Sequence, residues 1–200
     1  PDAAGHTRLT AHGNDIYAGH WVPLASDPSK ARFYIDRIDV QNASAPTLAA
    51  SINVPGSLVM FDPTTNRALT TDYHREDLGM LTYSQCAETP HAQWQPTDDS
   101  TWDYDTPGRC TVMDRSFNIV ALHATHAELL DREMLVRGSR LYQRMAGDDR
   151  LFAHMVNYGS ATQAPEYGIF AISGLAEGAL RRMQLVGGDQ THTQYMVAAD

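Results

Sequence analysis

The sequence predicts an all-β protein that repeats a unit of four short antiparallel strands, and two observations lead to this fold class. First, the apolar runs are five to eight residues long, are rich in β-branched and aromatic side chains, and are bounded by Gly, Pro, Asn and Asp, which is typical of strands. Second, these runs recur in the same order along the 200-residue chain, as expected of a repeat architecture.

The second half of the unit occurs in three stretches. Each has an aromatic-led apolar run, a short polar or Gly/Ala turn, a second run centred on leucine and a closing glycine. The stretches are "RFYIDRIDVQNASAPTLAASINVPG" (32–56), "SFNIVALHATHAELLDREMLVRG" (116–138) and "EYGIFAISGLAEGALRRMQLVGG" (166–188).

The first half of the unit follows two of those closing glycines. Both "SLVMFDPTTNRALTTDY" (57–73) and "SRLYQRMAGDDRLFAHMVNY" (139–158) contain an apolar strand, an Asp- or Asn-rich turn and a second strand that ends in tyrosine. "TRLTAHGNDIYAGHW" (7–21) has the same shape, and "TQYMVAAD" (193–200) matches the first strand alone. The turn residues are those that accept a left-handed backbone or preset the turn.

Two segments leave a helical alternative open. "HAELLDREMLVRG" and "LAEGALRRMQL" can be read as short amphipathic helices. They align with "TLAASINVPG", however, whose β-branched and proline content is poor for a helix. We therefore expect strands in all three.

The repeat divides the chain into modules at about 7–56, 57–138 and 139–188, with the start of a fourth at 189–200. The second module is longer because it carries an insertion at about 75–110. Four-stranded antiparallel units at this spacing are typical of β-propeller blades. Three blades and one strand are fewer than the roughly four to eight blades of a closed ring, so we expect a partial or partner-completed propeller. The alternative is an open β-sandwich whose repeats are coincidental.

One stretch also supports a family resemblance. "FYIDRIDVQNASAPTLAASINVPGSLVMFD" (33–62) resembles secreted bacterial β-propeller proteins distantly related to WD40 repeats, whose blades carry "V-x-D", "PxxPxL" and "PG" elements. The resemblance implies a propeller fold and an exported location. It implies no particular chemistry.

Composition excludes several classes of partner. The formal net charge is −9 and the pI is about 5.3, which argues against binding a nucleic-acid backbone or an anionic membrane surface. No apolar run approaches the roughly 20 residues of a membrane-spanning helix.

The two cysteines, Cys86 and Cys110, flank one polar segment. We expect them to form a disulfide, which is worth about 3 kcal/mol in the chain-entropy model; the alternative is two unrelated thiols. A disulfide would place the protein in an oxidising compartment, so the predicted location is secreted, periplasmic or cell-surface.

The insertion contains the candidate binding residues. Its aromatic side chains include Tyr83 and three candidates for a contact with a partner protein, namely Trp94, Trp102 and Tyr104. Long loops on a regular scaffold commonly carry specific contacts, and Trp and Tyr are enriched at interfaces. The alternative is that these aromatics form only the small core of the loop itself.

Metal binding is a weaker hypothesis. Four aspartates of the insertion are candidate ligands for a structural Ca²⁺, the alternative being a solvated acidic loop: Asp98, Asp99, Asp103 and Asp105. His123 and His126 lie three positions apart, which on a strand predicts opposite faces and histidines at the rim rather than metal ligands. No cofactor is predicted.

These features predict a non-catalytic, exported β-propeller scaffold or protein–protein interaction module that belongs to a longer chain or assembly. The sequence has no G-x-S-x-G, phosphate-binding loop or dinucleotide-binding motif. The alternative is a propeller-type hydrolase or oxidoreductase with a metal or quinone at the central channel, served by His and Asp side chains from the inner strands.

Overall fold

The computed structural model describes residues 5–97, 103–146, 150–157 and 166–187. In this part of the chain the fold is all-β and antiparallel, which confirms the predicted class, and one short helix interrupts it. The strands are β1 (Gly5–His12), β2 (Asp15–Leu24), β3 (Asp27–Asp39), β4 (Thr47–Val54), β5 (Ser57–Asp62), β6 (Arg67–Leu81), β7 (Gln93–Gln95), β8 (Gly108–Leu122), β9 (Ala127–Met134), β10 (Arg140–Ala146), β11 (Leu151–Asn157), β12 (Glu166–Ser173) and β13 (Arg181–Gly187), and the helix is α1 (Tyr83–Ala87).

The strands form three sheets that follow one another along the chain. Sheet 1 has the order β1-β2-β3-β4 and sheet 3 the order β10-β11-β12-β13, so each strand pairs with its neighbour in sequence. Sheet 2 has the order β5-β6-β8-β7, and β9 pairs with β8 as well. Sheets 1 and 3 are the predicted four-stranded antiparallel sheets, and sheet 2 contains β7 as a fifth strand. The expected start of a fourth unit, at 189–200, lies outside the described residues.

The "DPTTN" turn shows how the sequence sets a hairpin. The Asp62 carboxylate accepts hydrogen bonds from the backbone N–H of Thr64 (2.9 Å) and from the hydroxyl of Thr65 (2.6 Å). Asn66 then adopts a left-handed backbone with a φ of 55°, which asparagine tolerates better than most residues. Local side-chain bonds thus close the turn and fix the register of β5 against β6.

Sheet 2 lies between two apolar cores. Ile119 packs in a core shared with sheet 3, where it meets Leu151 and Phe170. The next residue, Val120, packs in a second core shared with sheet 1, where it lies with Ile35. Successive side chains of a strand point to opposite faces, so burial on both sides explains why "FNIVAL" of β8 is apolar at every position except Asn118.

Polar contacts add to both junctions between the sheets. Between sheets 1 and 2, the carbonyl of Pro55 accepts hydrogen bonds from the buried amide of Asn118 (3.3 Å) and from the hydroxyl of Thr70. Between sheets 2 and 3, the Asp131 carboxylate accepts a bond from the N–H of Leu180 (2.7 Å). Buried polar groups in these places are satisfied and fix how the sheets pack.

The strands extend further into the predicted insertion than the sequence indicates. β6 continues to Leu81 and β8 begins at Gly108, and the two pair throughout. The second half of β6, "DYHREDLGM", is mostly exposed on both faces, so it lacks the apolar alternation that identifies a strand. The connection between these strands is residues 82–107, called the insertion from here on.

Candidate functional site

A disulfide fastens the insertion to sheet 2. Cys86 of α1 and Cys110 of β8 are bonded, with their Cα atoms 5.7 Å apart, and both are buried. The predicted pairing is confirmed. The bond holds the start of the insertion against the strand to which its end returns.

Local capping explains the short helix, which the sequence analysis did not predict. The Thr82 hydroxyl accepts a bond from the Gln85 N–H, and the Gln85 side chain accepts one from the Thr82 N–H (3.0 Å). This reciprocal capping box satisfies two N–H groups at the start of the helix. It places Tyr83 at the outer surface and directs Cys86 inward.

Three aromatic side chains form what we call the aromatic cluster: Tyr83, Trp94 and Tyr104. The Tyr83 ring centroid lies 5.0 Å from that of Tyr104 and 6.1 Å from that of Trp94. The Trp94 indole N–H donates to the carbonyl of Leu81 (2.8 Å), which fixes the central ring. Tyr83 and Tyr104 remain 50% and 52% exposed, so the cluster is both a local core and an accessible surface.

A cleft of about 550 Å³ is lined by Met80, Pro96 and the ion pair of Asp77 with Arg109. The Arg109 guanidinium donates two bonds to one carboxylate oxygen of Asp77, at 2.7 and 3.0 Å. That hydrogen bonding holds the pKa of Asp77 below its usual value. The sequence does not reveal this pair, because it does not show that β6 and β8 pair as far as Asp77 and Arg109.

Contacts with the connection between β9 and β10 seat the insertion on the body of the protein. The Gln93 amide donates to the carbonyl of Gly138 (3.2 Å). Gly138 has a φ of 80°, and a Cβ there would lie 2.9 Å from the Cβ of His91. The close approach requires glycine and indicates that the insertion is held firmly rather than tethered at its ends.

The structure brings two of the three predicted interaction residues together. Trp94 and Tyr104 lie in the aromatic cluster, with centroids 5.7 Å apart. Trp102 lies outside the described residues.

The aspartate candidates divide in the same way. Asp98 and Asp99 lie outside the described residues. The Asp103 carboxylate accepts bonds from the Thr106 hydroxyl (2.6 Å) and the Asp105 N–H (3.1 Å), and these lower its pKa. Asp103 thus closes a turn, and Asp105 is exposed. In the described ranges, no group of three His, Cys, Asp or Glu side chains could hold a metal ion.

His123 and His126 do not point apart, contrary to the expectation from their spacing. Their rings stack with centroids 4.6 Å apart. The backbone N–H of His123 donates a hydrogen bond to the backbone carbonyl of His126 (2.9 Å). The two residues lie in the connection between β8 and β9, one at each end of the turn, so they face each other across the turn rather than alternating along one strand. His123 also lies 3.2 Å from a carboxylate oxygen of Glu128.

Sheet 1 presents a second candidate surface on the face turned away from sheet 2, called its outer face. Leu9, Val22 and Leu48 lie on this face and are 69%, 42% and 63% exposed. Large apolar side chains grouped on one sheet face are typical of a surface that packs against another body.

A polar group lies at the centre of this outer face. His20 stacks on Tyr34 with centroids 5.2 Å apart, and its Nδ1 lies 3.1 Å from one carboxylate oxygen of Asp36. The other oxygen, Oδ1 of Asp36, is buried and has no hydrogen-bond partner within the described ranges. An acceptor left unsatisfied at such a position costs on the order of 1–3 kcal/mol.

Comparison with known proteins gives no matching family model, no similar curated protein and no similar solved structure. Among the described residues, no helix has the length and hydropathy needed to cross a membrane.

Proposed function

We propose that this chain is a non-catalytic, exported scaffold or interaction module of the β-propeller type, completed by further sheets of a longer chain or of a protein partner. The observation that carries the proposal is the outer face of sheet 1, where the exposed side chains of Leu9, Val22 and Leu48 accompany an Asp36 oxygen that has no hydrogen-bond partner among the described residues. The disulfide supports an exported location, because such bonds persist in oxidising compartments.

The packing of the sheets supports consecutive blades. Sheet 2 has one face against sheet 1 and the other against sheet 3, in the order of the chain. Stacked repeats that bury a shared core leave an uncovered face on a terminal repeat, which must be capped.

Equivalent positions on sheets 1 and 2 indicate what kind of structure covers the outer face of sheet 1. Counting from the first hairpin of each sheet, Asp36 pairs with Ala18 as Asn118 pairs with Thr70. On sheet 2 this position faces sheet 1, and the Asn118 amide donates to the carbonyl of Pro55, in the connection that follows β4 of sheet 1. We therefore infer that a further antiparallel sheet covers sheet 1 as sheet 1 covers sheet 2. Because Asp36 carries an accepting carboxylate where Asn118 carries a donating amide, that sheet has to supply an N–H donor rather than a carbonyl.

The aromatic cluster supports a second contact surface. Tyr83 and Tyr104 are half exposed on a fixed base, and Met80 and Arg109, which pair across β6 and β8, line the cleft next to the ends of the insertion. Tyr, Trp, Met and Arg are the side chains enriched at protein interfaces. A rigid aromatic surface loses little conformational entropy on binding, which fits a site for a protein partner.

Sedimentation of the purified chain tests the first surface. In a purified sample, only other copies of the chain can cover the outer face of sheet 1. We therefore expect species larger than the 22.1 kDa monomer. Leu9→Gln with Leu48→Gln should weaken association about tenfold or more, whereas Leu129→Gln, on an exposed position of β9, should not. A chain that is monomeric at every concentration would contradict the proposal.

Site-specific photo-crosslinking tests the second surface. A photoreactive residue at position 104, in protein exported by the producing cell, should capture one protein reproducibly. The same group at Tyr73, which is 54% exposed on β6, is the matched control. Equal capture at both positions, or capture that persists in Tyr83→Ala, would show that the aromatic cluster is not a binding surface for a protein partner.

A further inference from the structure

A cleft of about 430 Å³ opens between sheets 1 and 2, at the end of the sheets that carries the "DPTTN" turn. We call it the junction cleft. Its floor is apolar and consists of buried side chains from both sheets, among them Tyr17, Ile35, Ile52 and Leu122. Such a concave apolar floor is typical of small-molecule sites, which span roughly 300–1,000 Å³.

Small side chains create the room in this cleft. Ala49 and Ala50 of β4 belong to the wall that sheet 1 contributes, and Ala124 of the turn between β8 and β9 belongs to the wall that sheet 2 contributes. A larger side chain at either wall would fill the space that the three methyl groups leave. The cleft therefore depends on residue size at identifiable positions, and these can be altered.

The rim of the junction cleft offers hydrogen-bond donors. The Arg37 side chain is half exposed, and its Nη2 lies 2.9 Å from an Asp15 carboxylate oxygen. A guanidinium has five N–H groups in a planar fork, so this ion pair occupies only part of it. His123 lines the same rim, where its imidazole faces Glu128. Asp15 is thus paired with Arg37, and Glu128 lies beside His123, so the guanidinium presents N–H donors to an incoming ligand.

We propose that the junction cleft binds a monocarboxylate with an apolar tail: the tail fills the alanine-lined space and the carboxylate receives N–H bonds from Arg37. The ligand chemistry has two sources, a free small acid or the C-terminus of a peptide that ends in an apolar residue. The inference is independent of the scaffold function proposed above.

Titration of the whole chain with hexanoate, followed by methyl NMR of Ile35, Ile52 and Leu122, tests the proposal. Hexanoate should shift these signals, and hexanol, which has the same tail without charge, should bind about tenfold more weakly.

Variants of the cleft separate the two parts of the site. Arg37→Gln should reduce the affinity for hexanoate to that for hexanol. Ala50→Leu should abolish binding of both, and Ala124→Leu on the exposed turn is the second filling variant if Ala50→Leu unfolds. Ala11→Leu, outside the cleft, is the matched control and should bind hexanoate as the wild type does.

Three results would overturn the proposal: no shift of these methyl signals at millimolar hexanoate, equal binding of hexanoate and hexanol, or binding that persists in both filling variants. A short peptide ending in leucine distinguishes the two sources. Tighter binding of its free acid than of hexanoate, lost on amidation, supports a peptide C-terminus. Binding of hexanoate alone supports a free small acid.

Discussion

Gly56, at the turn that joins sheet 1 to sheet 2, illustrates how one residue fixes a junction. Its φ is 84°, and a Cβ would lie 2.3 Å from the Thr71 carbonyl oxygen. Left-handed backbone is strained for residues that carry a Cβ, and the backbone of β6 leaves no space for one. The glycine that closes the "INVPG" stretch is therefore required both by its backbone conformation and by the closeness of the β6 backbone.

We expect Gly56→Ala to lower the free energy of unfolding by about 2–4 kcal/mol, because strain and steric overlap add. Gly13→Ala is the matched control: its φ is 57°, but nothing lies within 4 Å of the added Cβ, so only about 1 kcal/mol of strain is expected. Urea unfolding followed by circular dichroism measures both. Equal losses would show that the approach of Thr71 is not limiting.

Asp62 makes the stability of the "DPTTN" turn depend on pH. Burial raises the pKa of its carboxyl, but hydrogen bonds from Thr65 and Thr64 outweigh this, so the pKa lies below the usual 3.8. As pH falls, the unfolded chain takes up this proton first. The stability that Asp62 contributes is therefore present above about pH 4 and lost as pH falls through the lowered pKa.

Asp62→Ala should therefore cost about 1 kcal/mol at neutral pH, and the difference from wild type should shrink as pH falls from about 4 towards 2.5. Urea midpoints for both proteins across this range measure the effect. Asp105→Ala, at an exposed position, serves as the control and should leave stability within about 0.5 kcal/mol of wild type at every pH. A constant difference for Asp62→Ala would mean that the carboxylate charge does not stabilise the turn.

At the scale of elements, the disulfide and the aromatic cluster make the insertion a fixed part of sheet 2. Cys86 and Cys110 are 24 positions apart, and a closed loop of this size is worth about 3 kcal/mol in the chain-entropy model. The double variant Cys86→Ala with Cys110→Ala should lose about that much stability. It should also be cleaved faster by protease within 82–107, mapped by mass spectrometry.

The matched control for this prediction is a cleavage site outside the insertion, in the connection between β3 and β4 at 40–46. Its cleavage rate should change little, because that connection has no covalent link to the insertion. Parallel acceleration at both sites would instead show that the disulfide acts on global unfolding alone. Unchanged cleavage of 82–107 would show that the contacts of Gln93 and Trp94 suffice to hold the insertion.

The elements differ in how far the sequence predicts them. The short apolar runs and the Asp62 turn identify most strands, because their signals are local. The second half of β6 escapes this reasoning, since its partner is the distant strand β8 and its side chains are exposed. Asp36 was not identified either: "YIDRID" shows an acid within an alternating strand, but only the paired strands place it beside His20 on the outer face of sheet 1.

The aromatic cluster was predicted in part, because local sequence signals identify its residues but not their contacts with distant segments. Trp94 and Tyr104 could be named because the cysteines delimit an aromatic-rich segment. The ion pair joins Asp77 and Arg109, which are 32 positions apart in sequence, and depends on the register of β6 against β8. The junction cleft depends on how two sheets meet, which residue spacing within either sheet does not determine.

At the scale of the whole molecule, the central position of sheet 2 couples the other two sheets. Ile119 and Val120 are adjacent and fully buried, but each contributes to a different core. Ile119→Ala should cost about 3–4 kcal/mol and Val120→Ala about 2 kcal/mol, from lost transfer energy and the cavity left behind. Because β8 serves both cores, each variant should lower the midpoint of one shared unfolding transition rather than release a single sheet.

Native-state hydrogen exchange decides between coupling and independent sheets. The Ile35 amide reports on sheet 1 and the Ile172 amide on sheet 3, and both residues are buried. If unfolding is shared, Ile119→Ala and Val120→Ala each lower the protection of both amides by the full loss of global stability. If the sheets open independently, Ile119→Ala deprotects Ile172 alone and Val120→Ala deprotects Ile35 alone. Leu129→Ala, an exposed apolar truncation on β9 of the same sheet, should leave both amides unchanged.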